Sequence, residues 1–209
     1  MFKDRKDAGQ KLAAALQRYK EENPLVFAIP RGGVELGYEV SKALNSDFSL
    51  LICRKLPFPD NTESGFGAIA EDGSLYINAA ASSHVSDNTI EQIIAEQNLE
   101  IKRRIQTLRE GKPLPTIKGR TVILVDDGIA MGSTMRVAVD LCRKKEAKKI
   151  IVAAPVSGRQ SIEQFSELAD EVVVLESPVP FYAVAQVYEN WYDVRDEEVL
   201  RFFNPQDNS

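Results

Sequence analysis

Histidine and cysteine are scarce in this chain, and each scarcity removes a class of function. One histidine (His84) and two cysteines (Cys53 and Cys142) stand among 209 residues. The cysteines lie far apart in apolar surroundings, with no CxxC and no neighbouring histidine, which argues against a disulfide framework and against zinc. Buried thiols of this kind suit a reducing cytoplasm. His84, set among Ser82, Ser83 and Ser86, reads as a surface residue rather than a base. Long apolar runs are also missing. The opening MFKDRKDAGQ is polar, so neither a signal peptide nor a membrane partner is expected. Excess positive charge is absent as well: the net charge is −5, which gives no general attraction to nucleic acid or anionic membrane. A helix-turn-helix has no spare segment to occupy, and no DNA partner is expected. An anionic ligand must be held by a local cluster of donors.

Hydrophobic residues make up 44% and charged residues 27% of the chain, enough for a real core. Its length fits one domain, 1–209, with a short appendage. Apolar residues at helical spacing predict a helix from Asp4 to Glu22, stopped by Asn23-Pro24. A strand over Leu25–Ile29, a helix over Val34–Leu44 and a strand over Phe48–Cys53 follow. Leu56 to Gly67, with two prolines and two glycines, reads as a mobile loop. Ala68–Asn78 reads as a hairpin turning at Asp72-Gly73, and Asp87–Arg109 as a long amphipathic helix. Strands at 121–125, 149–154 and 171–175 alternate with helices at 133–144 and 161–168. That order predicts an α/β fold with a doubly wound, mainly parallel sheet. The aromatic tail after Pro178, ending in a helix near Asp196–Phe203, reads as a small C-terminal hood, completed by the N-terminal helix.

The chemistry concentrates at the end of the most uniformly apolar strand. Asp126 and Asp127 follow Val125, and Gly128-Ile129-Ala130-Met131-Gly132-Ser133-Thr134 opens the next helix. Small residues there let backbone N–H groups close around an anion at a helix N-terminus, with hydroxyls from Ser133 and Thr134. Two acids beside a phosphate would repel it, so they must face something else. A sugar diol resolves the conflict, because carboxylates accept two hydroxyl hydrogen bonds while the loop holds a 5-phosphate. Ile29-Pro30-Arg31-Gly32-Gly33 ends the first strand, and its paired glycines permit close approach of N–H groups to an anion. Arg54-Lys55 closes the second.

The string VILVDDGIAMGST (Val122–Thr134) resembles the PRPP-binding motif of the type I phosphoribosyltransferases; PRPP is 5-phosphoribosyl 1-diphosphate. The resemblance implies that Asp126 and Asp127 contact the ribose hydroxyls and that residues 128–134, Ala130 to Thr134 above all, wrap the 5-phosphate. It also implies a pyrophosphate loop at Pro30, Arg31, Gly32 and Gly33, with a cis Pro30-Arg31 bond. Arg54-Lys55 is similar to a pair that meets pyrophosphate and starts a catalytic flexible loop in adenine and orotate enzymes. The strings RKLP, GAIAEDG and PFYAVAQVYENWYDVRDEEV resemble a group of bacterial and archaeal chains described only as predicted phosphoribosyltransferases.

What the resemblance implies is transfer of a phosphoribosyl group to a small nitrogenous base, with release of pyrophosphate. Asp126, Asp127, Arg54 and Lys55 would be its catalytic residues. Mg²⁺ would be held mainly through PRPP with no direct protein site, and the assembly would be a homodimer. Three features depart from the pattern. Met131 stands where the loop usually has Thr. Ala130 stands where 6-oxopurine enzymes carry an Asp, and Leu56–Gly67 contains no Lys. A non-catalytic PRPP or nucleotide-binding regulator with the same fold is the alternative. A PRPP synthase-like enzyme would need an ATP-binding half that this length does not hold.

Overall fold

A computed structural model describes residues 1–203. Five short apolar runs form its central sheet: β1 (Leu25–Ala28), β2 (Asp47–Leu50), β6 (Thr121–Val125), β7 (Lys149–Val156) and β8 (Glu171–Glu176). Their order is β2-β1-β6-β7-β8, all parallel. Every residue of β1 and β6 is buried, as expected of strands covered on both faces. Register aligns Ala28, Val125 and Ala153 across three neighbouring strands. The loops leaving β1, β6 and β7 therefore open at one edge of the sheet.

Helix α1 (Arg5–Ala15) and helix α2 (Gly33–Leu44) cover one face. Leu12, Leu16, Leu36 and Val40 there pack on Val26, Ile123 and Val125. Helix α5 (Ser133–Lys144) and helix α6 (Arg159–Leu168) cover the other, where Val137, Leu141 and Phe165 meet Phe27, Leu124 and Val152. From β1 the chain winds outward through α2 to β2; from β6 it winds the opposite way through α5 and α6. The junction of β1 and β6 is thus the switch point, where open α/β sheets present a crevice.

The first helix is shorter than its periodicity predicts. It ends at Ala15 and continues as a 3-10 turn over Gln17–Glu22, closed by Asn23 at φ 45°. The strand expected over Phe48–Cys53 is divided, ending at Leu50, and a new strand, β3 (Cys53–Phe58), begins a second sheet. That sheet is antiparallel, β3-β4-β5, with β4 at Asn61–Ala70 and β5 at Leu75–Ile77. The expected turn at Asp72-Gly73 joins β4 to β5. Most of the segment read as a mobile loop is instead a hairpin of β3 and β4. Leu56 and Phe66 are fully buried, and the Phe58 and Phe66 rings lie 5.6 Å apart between centres. The prolines are accommodated by register shifts on either side of Pro57.

A short helix, α3 (Ala79–Ser82), leads to α4 (Asp87–Arg109), whose Ile93, Ile101 and Leu108 close a third core over Leu50, Ile52 and Ile69. A buried ion pair locks this corner: Arg109 Nη1 and Nη2 donate to Glu71 Oε1 and Oε2 at 2.8 and 2.6 Å. The N-terminus meets the tail as well. Phe2 N–H donates to Val187 O at 2.7 Å, and Glu189 N–H returns to Phe2 O at 2.8 Å. The last described helix, α7 (Asp196–Arg201), is tied to α4 by Arg103–Asp196 at 3.0 Å. Residues 204–209 of the expected hood lie outside the described residues.

Candidate active site at the switch point

Beyond β6 the loop from Asp126 into α5 is shaped from both sides. Gly132 has φ 74°, and a Cβ there would strike the Phe165 ring at 2.6 Å, so glycine is required twice over. Ile129 N–H donates to Val156 O at 2.9 Å, and Ser161 Oγ donates to Ala130 O at 2.8 Å. The Ile129 side chain is itself buried and packs into the core. Arg136 N–H bonds Gly132 O at 2.8 Å, and the amides of Ser133 to Met135 ahead of it have no helical acceptor. This helix start borders a cleft of about 470 Å³, lined by Asp126, by residues 128–135, and also by Lys55, Glu63 and Tyr182. Met131 and Tyr182 are exposed, 65% and 83% accessible.

The paired acids are not equivalent. Asp126 borders the cleft, and its Oδ1 accepts the Asp127 N–H at 2.9 Å. Asp127 Oδ2 instead accepts from Arg5 Nε and lies within 2.9 Å of Arg5 Nη2. Tyr188 Oη donates to Asp127 O at 2.7 Å. Burial, and then the charge of Asp127, raise the Asp126 carboxyl well above the ordinary carboxylate range. Burial raises Asp127 too, against the opposing pull of Arg5. Sequence patterns give no sign of Arg5. It stands 122 residues from its partner, and no spacing rule connects them. The aromatic tail supplies its setting: Arg5 Cζ lies 4.1 Å from the Trp191 ring centre and 5.4 Å from that of Tyr192.

The Pro30-Arg31 peptide is cis. Ile29 N–H donates to Val125 O at 2.9 Å, which seats this loop against the acids. A Cβ on Gly32 would sit 1.9 Å from Asp127 Oδ2, and one on Gly33 would sit 2.6 Å from Val125 O. Both glycines are therefore needed for close approach. Arg31 is not among the cleft's lining residues; its Nη1 lies 3.6 Å from Asp196 Oδ1. Arg54 Nε donates to Gln97 Oε1 of α4 at 3.0 Å; burial, then Arg104 and Arg31 nearby, lower its pKa. Lys55 faces the other way and donates from Nζ to Glu63 O at 2.6 Å. The structure thus brings Asp126, the Gly128–Thr134 loop and Lys55 together, while Arg31 and Arg54 gather on the α4 side with Arg104.

Among the described residues no group of three or more His, Cys, Asp or Glu side chains gathers as a metal site. The donors fit a magnesium ion carried by ligand oxygens and water, for which Asp126 offers a cleft-side carboxylate. No helix among the described residues is long and apolar enough to cross a membrane.

Residues 2–189 match the family model of the phosphoribosyl transferase domain. The crystal structure of TT1426 from Thermus thermophilus superposes with a TM-score of 0.80, at 34% identity over 97% of each chain. Rv0571c of Mycobacterium tuberculosis H37Rv, provisionally named a phosphoribosyl transferase, is 36% identical over 206 residues, covering 98% of this chain and 46% of its own length. The chain thus spans about half the length of this relative and of its counterpart from a second Mycobacterium tuberculosis strain. A shorter likeness, 41% over 93 residues, links 42% of the chain to 33% of the ribose-phosphate pyrophosphokinase of Thermococcus kodakarensis. With the match running from the N-terminal helix to the aromatic tail, this chain belongs to the phosphoribosyl transferase domain family.

Proposed function

We propose that this chain is a Mg²⁺-dependent phosphoribosyltransferase that binds PRPP and transfers its phosphoribosyl group to a small nitrogenous base, releasing pyrophosphate. One observation carries the reading: a cleft-side carboxylate, Asp126, stands beside the amides that begin α5. The first suits a ribose diol and the second a 5-phosphate. In this reading the domain is the whole chain, with 178–209 and the N-terminal helix as hood. It works in the cytoplasm as a homodimer, with neither DNA nor membrane as partner.

The chemistry asked of the protein is positioning and electrostatics. Asp126, with Asp127 behind it, favours positive charge developing on the ribose ring as the bond to pyrophosphate breaks. Lys55 offers its ammonium to the departing pyrophosphate, with the Gly32 amide, Arg31 and Arg54 on the far side of the acids; the Gly33 N–H is already given to Ile29 O at 3.1 Å. Magnesium, when bound, would neutralise pyrophosphate charge. The tip of the β3–β4 hairpin would exclude water, which competes with the base.

The alternative is a regulator that binds PRPP or a nucleotide without turnover. Exposed Met131 in the phosphate loop, and the lack of lysine between Leu56 and Gly67, favour it. Titration of PRPP with Mg²⁺, then a panel of bases followed by pyrophosphate release, separates the two. Absence of PRPP binding, or binding indifferent to Asp126→Asn with Asp127→Asn, sinks both. Binding without turnover on any base selects the regulator.

A further inference from the structure

Paired acids beside a phosphate loop pose an electrostatic problem, because a polyanionic ligand must approach two negative charges. The fold answers it from the start of the chain. Arg5, in the first turn of α1, has a side chain only 3% exposed and places Nε and Nη2 both 2.9 Å from Asp127 Oδ2. Its Nη1 donates to Tyr192 O at 2.8 Å, and its Cζ lies over the Trp191 ring. A guanidinium held on three sides in this way cannot turn to a ligand without losing the contacts that fix it. Asp127 is fixed in turn, by Arg5 at its carboxylate, Tyr188 at its carbonyl, and the bare Cα of Gly32 against Oδ2. Asp126 borders the cleft, and among the described residues no cation pairs with it.

We propose that Arg5 is a positioning residue for the acid pair: it cancels the charge of Asp127 and holds it under the aromatic tail, leaving Asp126 as the carboxylate that meets the ligand. This rests on the PRPP-binding reading. With both acids ionised, two carboxylates and one guanidinium carry a single net negative charge, which a ribose diol can meet while the phosphates stay on the α5 amides. Without Arg5 the two half-buried acids repel each other and the approaching phosphates. Asp127 is then free to leave its place against Gly32.

A double-mutant cycle tests this, with PRPP–Mg²⁺ affinity read by calorimetry in wild type, Arg5→Gln, Asp127→Asn and the double variant. Arg5→Gln is expected to weaken PRPP at least about tenfold, and Arg5→Lys to recover part of that loss. On the Asp127→Asn background the same substitution is expected to cost less than about twofold, because the residue Arg5 acts through is already neutral. Equal losses on both backgrounds overturn the proposal, since Arg5 would then act on the ligand or the aromatic tail directly. Unchanged affinity in Arg5→Gln overturns it too. If Arg5→Gln does not fold, Arg5→Lys compared on the two backgrounds decides between the same outcomes. Wild-type protein that binds no PRPP defeats the functional reading along with the proposal, whereas wild-type binding with additive losses defeats the proposal alone.

Discussion

Arg54 and Lys55 are adjacent on β3 and face opposite ways: Arg54 reaches Gln97 of α4 at 3.0 Å, while Lys55 crosses the hairpin to Glu63 O at 2.6 Å. Alternation along a strand makes this unavoidable. The two cations therefore divide, one toward the cleft and one toward the helix that backs it. Lys55→Ala is expected to lower the rate of pyrophosphate release at least about tenfold, with the unfolding midpoint little changed. Arg54→Ala is expected to lower the midpoint, because it strips a half-buried contact to α4. Steady-state kinetics and thermal unfolding on both variants check this; a Lys55→Ala enzyme with full turnover would remove Lys55 from the site.

Gly32 is the residue whose replacement reports on the acid pair most directly. An added methyl would lie 1.9 Å from Asp127 Oδ2 and 2.4 Å from its Cγ, and the carboxylate is held there by Arg5. Gly32→Ala must push Asp127 aside. The expected outcome is a loss of about 1–3 kcal/mol in urea unfolding, the usual scale for overpacking, together with weakened PRPP binding. Gly73 has φ 85° and nothing within 4 Å of an added Cβ, so Gly73→Ala serves as a control that strains the backbone without touching the site.

How much of this is readable in the sequence differs from one residue to the next, for physical reasons. The central strands are legible because β6 is buried along its length and apolar from Val122 to Val125, with two acids directly at its end. The cis loop and the turn from Asp126 into α5 are legible through their glycines and the family likeness. The β3–β4 hairpin is not: Pro57, Pro59, Gly65 and Gly67 are loop signals locally, and only the burial of Leu56 and Phe66 in the core beneath α4 overrides them. Arg5 is hidden because a long-range ion pair leaves no periodicity. The split of Arg54 from Lys55 is hidden because the apolar run before them reads as one strand, whereas the chain breaks it and starts a second sheet at Cys53.

The buried pair of Arg109 and Glu71 makes a prediction about stability alone. Both side chains are 6% exposed; Glu71 Oε1 also accepts Ile52 N–H at 2.9 Å, and Arg109 also donates to Leu50 O. Glu71→Gln leaves a buried guanidinium without its counter-charge and is expected to cost about 3–5 kcal/mol in denaturant unfolding. PRPP affinity in the folded variant should be unchanged, since neither residue lines the cleft. A cost below about 1 kcal/mol would mean that the pair's desolvation cancels its attraction.

Asp126 should trade stability for function. Burial and the neighbouring Asp127 hold its carboxyl well above the ordinary value of 3.8, so the native protein binds this proton more tightly than the unfolded chain does. The sign follows: the contribution of Asp126 is most favourable below pH 3.8 and declines as pH rises toward its native pKa, above which the charged form is a fixed cost. Asp126→Asn removes the charge and retains an oxygen that can accept the Asp127 N–H. The variant is therefore expected to be more stable than wild type at neutral pH, with the difference vanishing in acid, where wild-type Asp126 is neutral too. On the proposed function PRPP binding should move the opposite way, because a neutral amide would replace the carboxylate offered to the diol. Unfolding curves at several pH values, paired with PRPP titration, measure both. A variant less stable than wild type at neutral pH would show that the charged form of Asp126 is stabilised in the free protein, and that the site is not held under repulsion before the ligand arrives.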